Sequence, residues 1–167
     1  MSSKYLFPIA MGGFFIFYVS LMLRQPSFNF QEGDIFFQDL DCGPPCNAIE
    51  AVTQGYLGSN LSHCAIISEV GPNLKSTILI EAIGENVSEV TLEEFLMRSN
   101  KVLVGRLKKE HSELIPIALK HIKNNLIGKP YDFIFDINDD TYYCSEIIYE
   151  GLQLSLIHIS EPTRPER

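Results

Sequence analysis

The strongest constraint on this chain is a pair of apolar runs, Leu61-Ser62-His63-Cys64-Ala65-Ile66-Ile67 and Thr77-Ile78-Leu79-Ile80-Glu81-Ala82, separated by Glu69-Val70-Gly71-Pro72-Asn73. Short aliphatic and β-branched runs bounded by Gly-Pro-Asn read as two strands and a turn, so the segment predicts an antiparallel hairpin. Antiparallel partners keep a constant sum of residue numbers, and a turn centred on Pro72 sets that sum at roughly 144. His63 then stands opposite Glu81, Ala65 opposite Leu79 and Ile67 opposite Thr77, all on one face. Opposed Cβ atoms lie about 4.5–5.5 Å apart, near enough for a carboxylate to orient an imidazole, and a slip of one residue breaks the pairing.

Far downstream, Thr141-Tyr142-Tyr143-Cys144-Ser145-Glu146-Ile147-Ile148 runs from a cap candidate into an amphipathic segment. With Thr141 as N-cap, Cys144 lies in the first helical turn, where free N–H groups and the positive end of the helix dipole favour thiolate over thiol. Taken singly, such a cysteine is a small buried residue and a strand histidine is a satisfied core residue. Thiol, imidazole and carboxylate together are what nucleophilic catalysis requires, and they point to a thiol enzyme.

Five segments follow one another along the chain: Gly33-Asp34-Ile35-Phe36-Phe37-Gln38, Ser62-His63, Ile80-Glu81-Ala82, Gly128-Lys129-Pro130-Tyr131-Asp132 and Tyr143-Cys144-Ser145-Glu146. In that order they resemble the circularly permuted branch of the NlpC/P60 papain-like superfamily, the YiiX/YebB-like proteins, over the stretch from Gln31 to Gln153. Ordinary papain-like enzymes place the cysteine before the histidine, whereas here the order is His, Glu, Cys, as in the permuted branch. The resemblance implies an α+β papain-like fold and a Cys144–His63–Glu81 triad. It also implies that Tyr131 assists an oxyanion hole, against the plainer reading of a loop anchor. The substrates it allows are peptide or amide bonds, cell-wall peptides among them, or acyl-lipid bonds cleaved or transferred on the same triad. A catalytically silent module that binds lipid or peptide in the same groove is a reading of a different kind. No cofactor is implied.

Composition bounds the rest. A chain of 167 residues holds one domain with a real core, and a net charge of −8 argues against nucleic acid, which demands clustered Lys and Arg. Tyr5 to Leu23 is nineteen residues without a charge between Lys4 and Arg24, and Val19-Ser20-Leu21-Met22-Leu23 offers no A-x-A-like cleavage site. Residues 1–25 are therefore expected to be an uncleaved signal anchor, with a long signal peptide and a buried core helix as rivals. An anchor places the catalytic domain, residues 26–153, outside the cytoplasm, in the periplasm or cell envelope. Residues 154–167, beginning Leu154-Ser155-Leu156-Ile157-His158, look like translated sequencing-library adapter, and this removes His158 from the site candidates.

The scaffold is expected to hold strands at Ile35–Gln38, Val87–Val90 and Val102–Arg106. Helices are expected at Asn47–Thr53 with Asn47 as cap, at Leu92–Arg98 behind a Thr91/Glu94 capping box, and at Ser112–Asn124. Cys42 and Cys46 form a small disulfide or stay reduced. With His63 and Cys64 they nominally make four zinc ligands, but adjacent strand residues face opposite ways and cannot readily share one metal. His111 and His121 read as surface residues, and Asp136, Asp139 and Asp140 as a solvated loop rather than a calcium site. The reading has no metal ligands.

Overall fold

The structure is a computed structural model that describes residues 28–160 except 54, 100 and 138, with the backbone alone for 155–160. Tyr5–Leu23 lies outside the described residues. Within them, no helix is long and apolar enough to cross a membrane.

Among the described residues, five strands form one antiparallel sheet in the order β4-β3-β2-β1-β5: β1 Ile35–Gln38, β2 His63–Glu69, β3 Ile78–Ile83, β4 Asn86–Thr91 and β5 Val102–Gly105. Four α-helices among the same residues flank it: α1 Pro44–Val52, α2 Leu92–Met97, α3 Leu114–His121 and α4 Cys144–Ser160. α3 passes into a π-helical turn at Ile122–Leu126. Sheet and helices make the α+β class.

β2 has apolar residues on both faces because both are covered. Cys64 and Ile66 join Ile80, Ala82 and the helical residues Leu119, Ile122, Ile147 and Ile148 on one face. Ala65 and Ile67 join Phe36, Leu79, Leu92 and Phe95 on the other. Gly151 lets α4 lie close on α3, since a Cβ there would sit 2.8 Å from Ile122 Cδ1.

The hairpin forms, but in another register. Ile66 pairs with Ile80 and Ile67 with Leu79, then a bulge intervenes before Glu69 meets Ile78. The loop is wider than a turn on Pro72: Asn73 O accepts from Ser76 N and Thr77 N, and the Asn73 side chain bonds Lys75 N and Ser76 N. The resulting shift is two residues, which keeps every side chain on its expected face.

Two helix starts also differ. α1 begins at Pro44 and Pro45, residues suited to first-turn positions because they lack an N–H, and Gly43 at φ 76° is its N-cap in place of Asn47. α4 begins at Cys144. Thr141 does not cap it; its hydroxyl and N–H both donate to Asp139 Oδ1. Tyr143 takes that place, its carbonyl accepting from Glu146 N and its N–H donating to Glu146 Oε2. α2 has the expected box, with Thr91 and Glu94 bonding reciprocally. The helix expected at Ser112–Asn124 is regular from Leu114 to His121 and widens beyond it. α4 is helical across position 154 as far as Ser160.

Candidate active site

His63 opens β2, so its ring lies at the end of the sheet rather than in its middle. Its Nε2 is 2.7 Å from Glu81 Oε2, and both side chains are buried. Arg98, the residue that ends α2, places Nη2 2.7 Å from Glu81 Oε1 and 2.9 Å from Oε2. Beside His63, Gln38 is buried and donates through Nε2 to Phe95 O.

Cys144 reaches this place from the other side of the sheet. The segment before it is sewn to the β3–β4 turn: Tyr131 N donates to Glu85 O, Tyr142 N to Pro130 O and Asp132 N to Tyr142 O. Asp132, itself buried, accepts from Ile134 N and Asp136 N and so shapes the loop leading to α4. These bonds fix the helix start, and with it a thiol only 9% exposed, against Cys64 and His63. Cys144 interacts side chain to side chain with both.

The proton equilibria follow from these contacts. Hydrogen bonding from Cys64, aided by the bond and charge of His63 and by the Cys64 N–H, outweighs burial and draws the Cys144 thiol well below the ordinary thiol range. Cys64 moves the opposite way, well up, because it lends its proton to that thiolate and is buried. Burial disfavours the His63 imidazolium, but bonds to Cys144 and Glu81 more than offset it and raise the His63 pKa. Burial disfavours the Glu81 carboxylate, and bonds from His63 and Arg98 more than offset that too, lowering its pKa. The arrangement stores a thiolate–imidazolium pair backed by an anion. Tyr131 lies within electrostatic reach of Cys144; burial first, then the Cys144 and Asp132 charges, push its phenol up to about 12, so it stays a protonated donor.

Two clefts open on Cys144 and Ser145. One, of about 310 Å³, is lined by Phe37, Ile49, Tyr56, Leu61 and Leu103 with His63 and Cys64. The other, of about 450 Å³, is lined by Pro45, Ala48, Val52, Phe135 and Tyr143. A hollow of about 500 Å³ over Pro116, Ile117 and Leu154 lies ten residues along α4 from Cys144 and has neither a thiol nor a hydroxyl in its lining.

Every candidate triad residue of the sequence reading thus converges here. Arg98 and Cys64 were missed as members of the site. Arg98 gave no signal beyond its place at a helix end, while Cys64 was legible as the residue beside His63.

The family model for the permuted papain-like amidase enzymes, YaeF/YiiX, C92 family, matches residues 29–164. The chain belongs to this family. Its members are amidases, and a hydrolase of the cysteine type is the activity the family supports. A solved structure, the metalloprotein yiiX from Escherichia coli O157:H7, is 29% identical with a TM-score of 0.56, covering 75% of this chain and 66% of that one. The chain thus spans just under two thirds of that relative. No match was found among curated proteins.

That relative is described as a metalloprotein, and the candidate metal-ligating residues of this chain are otherwise engaged. Cys42 and Cys46 are joined in a disulfide with Cα atoms 5.4 Å apart, and His63 Nε2 is engaged by Glu81. Among the described residues no group of three or more His, Cys, Asp or Glu side chains is placed to hold a metal ion. His121 bonds Glu150 at 2.8 Å, His111 is exposed, and Asp139 and Asp140 bond Thr141 and Lys129 respectively. These residues do not fit a metal.

Proposed function

We propose that this chain is a thiol hydrolase that cleaves amide or peptide bonds through an acyl-Cys144 intermediate. Cys144 Sγ attacks the carbonyl carbon, forming the C–S bond as the carbonyl oxygen becomes an oxyanion. His63 takes the thiol proton and delivers it to the leaving nitrogen as the C–N bond breaks; it then draws a proton from a water whose oxygen bonds the acyl carbon, and as the C–S bond breaks the acid leaves and the thiolate–imidazolium pair is restored. Glu81 fixes the imidazole tautomer and stabilises its cation. The Cys144 N–H, one of the N-terminal amides without an intrahelical acceptor, and the Tyr131 hydroxyl stabilise the oxyanion. The observation that carries this reading is the lowered thiol beside a histidine held at 2.7 Å from a buried carboxylate.

The apolar lining of both clefts favours a second reading, an acyl-lipid bond cleaved or transferred on the same triad. Val52, Tyr56 and Phe135, which line them, are exposed. A location outside the cytoplasm is supported by the Cys42–Cys46 disulfide, a bond that persists in oxidising compartments, and by the uncharged Tyr5–Leu23 run as an anchor. Mass-spectrometric trapping with a panel of peptide, peptidoglycan-stem and acyl-lipid substrates tests the proposal. An acyl adduct on Cys144 from one class supports the enzyme and names its substrate; tight binding without an adduct from any class favours the silent module.

A further inference from the structure

Glu81 has more partners than a triad needs. Its two oxygens share Arg98 Nη2, at 2.7 and 2.9 Å, while Oε2 also meets His63 Nε2. Glu81 is 2% exposed, and a carboxylate so buried tends toward its neutral acid unless charged donors hold it ionised. His63 holds it by charge only when protonated, whereas a guanidinium brings its own charge to the contact.

Arg98 is set in place by how α2 begins and ends. The start of the helix is fixed by the Thr91–Glu94 capping box, and at its end Arg98 N donates to Phe95 O. The guanidinium lies 5.2 Å from the centroid of the Phe95 ring, and that ring is 6.0 Å from the His63 ring. The Phe95 carbonyl accepts from Gln38, the residue paired with His63 in the β1–β2 ladder. One short helix therefore touches the base, through its aromatic ring, and the carboxylate, through its terminal arginine.

We propose that Arg98 is a positioning residue of this site: it holds Glu81 ionised and aimed at His63, so that the imidazolium that pairs with the Cys144 thiolate is stabilised. The proposal rests on the Cys144–His63–Glu81 reading above. Among the described residues, Glu81 is faced by His63 and Cys64 from β2 and by Arg98 at the end of α2; His63 is also faced by Cys144 from α4, which in turn faces Cys64, Tyr131 and Tyr143. The outer side of Arg98 meets Glu94 electrostatically and a shallow hollow holding Asp39, Asp41, Glu50 and Lys101, of which Lys101 is paired with Asp39.

Removing the guanidinium raises the proton affinity of Glu81, and a Glu81 that takes up a proton no longer stabilises the His63 imidazolium, so the Cys144 thiolate loses its counter-ion. As pH falls, the thiolate then takes up its proton earlier. The acid limb of Cys144 alkylation moves to higher pH.

The test is the pH dependence of iodoacetamide labelling at Cys144 in the full chain, read by peptide mass spectrometry. Arg98→Met keeps an aliphatic stem over Phe95 without charge, and its acid limb is expected to move up by about one unit or more. Arg98→Lys keeps the charge, and its limb is expected to return toward the parent's. Arg98→Gln replaces the Met variant if that one does not fold. A folded, cooperatively melting neutral variant whose limb superimposes on the parent's overturns the proposal and leaves Arg98 a partly exposed ion pair. A parent protein with no reactive thiolate below the ordinary thiol range overturns the triad reading, and this proposal with it.

Discussion

His63 Nε2 and Glu81 Oε2 meet at 2.7 Å although the two residues are diagonal in the ladder: the register pairing Ile66 with Ile80 sets Glu81 across from Ala65. Diagonal neighbours are about 7–8 Å apart at their Cα atoms, a span that long side chains bridge. Ala65 offers only a methyl between them, so imidazole and carboxylate can lean together over it. Glu81→Gln keeps the shape of this contact and removes its charge, and with it the buried partner of Arg98. Turnover is expected to fall by about 10²–10⁴-fold, in line with the loss of a group that fixes tautomer and stabilises imidazolium. Unchanged turnover in the folded variant would mean that Glu81 is structural.

The direction of each pKa sets a pH window. The Cys144 pKa is lowered from 9.0 and the His63 pKa raised from 6.5. The thiolate is lost as pH falls through the lowered thiol value, and the imidazolium is lost as pH rises through the raised histidine value. Between the two limits the ion pair is intact, so iodoacetamide at pH 6 is expected to label Cys144 and spare Cys64, whose thiol is pushed up; Cys42 and Cys46 are bound to each other. His63→Ala should remove most of the advantage. Equal labelling of Cys64 and Cys144 would sink the nucleophile assignment.

Tyr131 separates oxyanion stabilisation from thiol activation. Alkylation by iodoacetamide builds no oxyanion, whereas acyl transfer does. Tyr131→Phe is therefore expected to lower turnover by about 10²-fold while leaving the alkylation rate of Cys144 near that of the parent. A parallel fall in both rates would mean that the tyrosine works by placing the α4 start, through its backbone pairing with Tyr142, rather than by donating its hydroxyl.

Local chemistry was the legible part of the sequence. β1 runs from Ile35 to Gln38 and the Thr91–Glu94 box opens α2, both written in adjacent residues. The hairpin faces were legible because period two survives a shift of two, but the register was not, since it depends on a bulge after Ile67 and on Asn73 organising the loop. Thr141 reads as a cap until Asp139 competes for its hydroxyl and N–H, a choice set by loop geometry. The thiol and the histidine are 81 residues apart, and no periodicity joins them. Their meeting was inferred from what a thiolate needs and from the order of the motifs. Arg98 had no such chemical demand attached to it, so its bond to Glu81 had to be seen in three dimensions.

Stability offers an independent check on the scaffold. Asp34 is fully buried and accepts Arg106 Nε at 2.6 Å, Arg106 Nη2 at 2.8 Å and Gln31 N at 2.9 Å. Arg106 is 40% exposed and also reaches Asn29 O and the Phe28 ring, which ties the residues before β1 to the end of β5. The pair is therefore asymmetric. Arg106→Ala strands a carboxylate inside the protein with one remaining donor, and is expected to cost about 3–5 kcal/mol. Asp34→Ala leaves a guanidinium that can turn to water, so its cost should be nearer 1–3 kcal/mol, roughly that of a lost charged hydrogen bond. Urea unfolding of the two variants, compared at equal slope, measures the difference. If Asp34→Ala proves the more damaging, Asp34 acts chiefly by holding Gln31 N and the entry to β1, and the buried-charge argument fails.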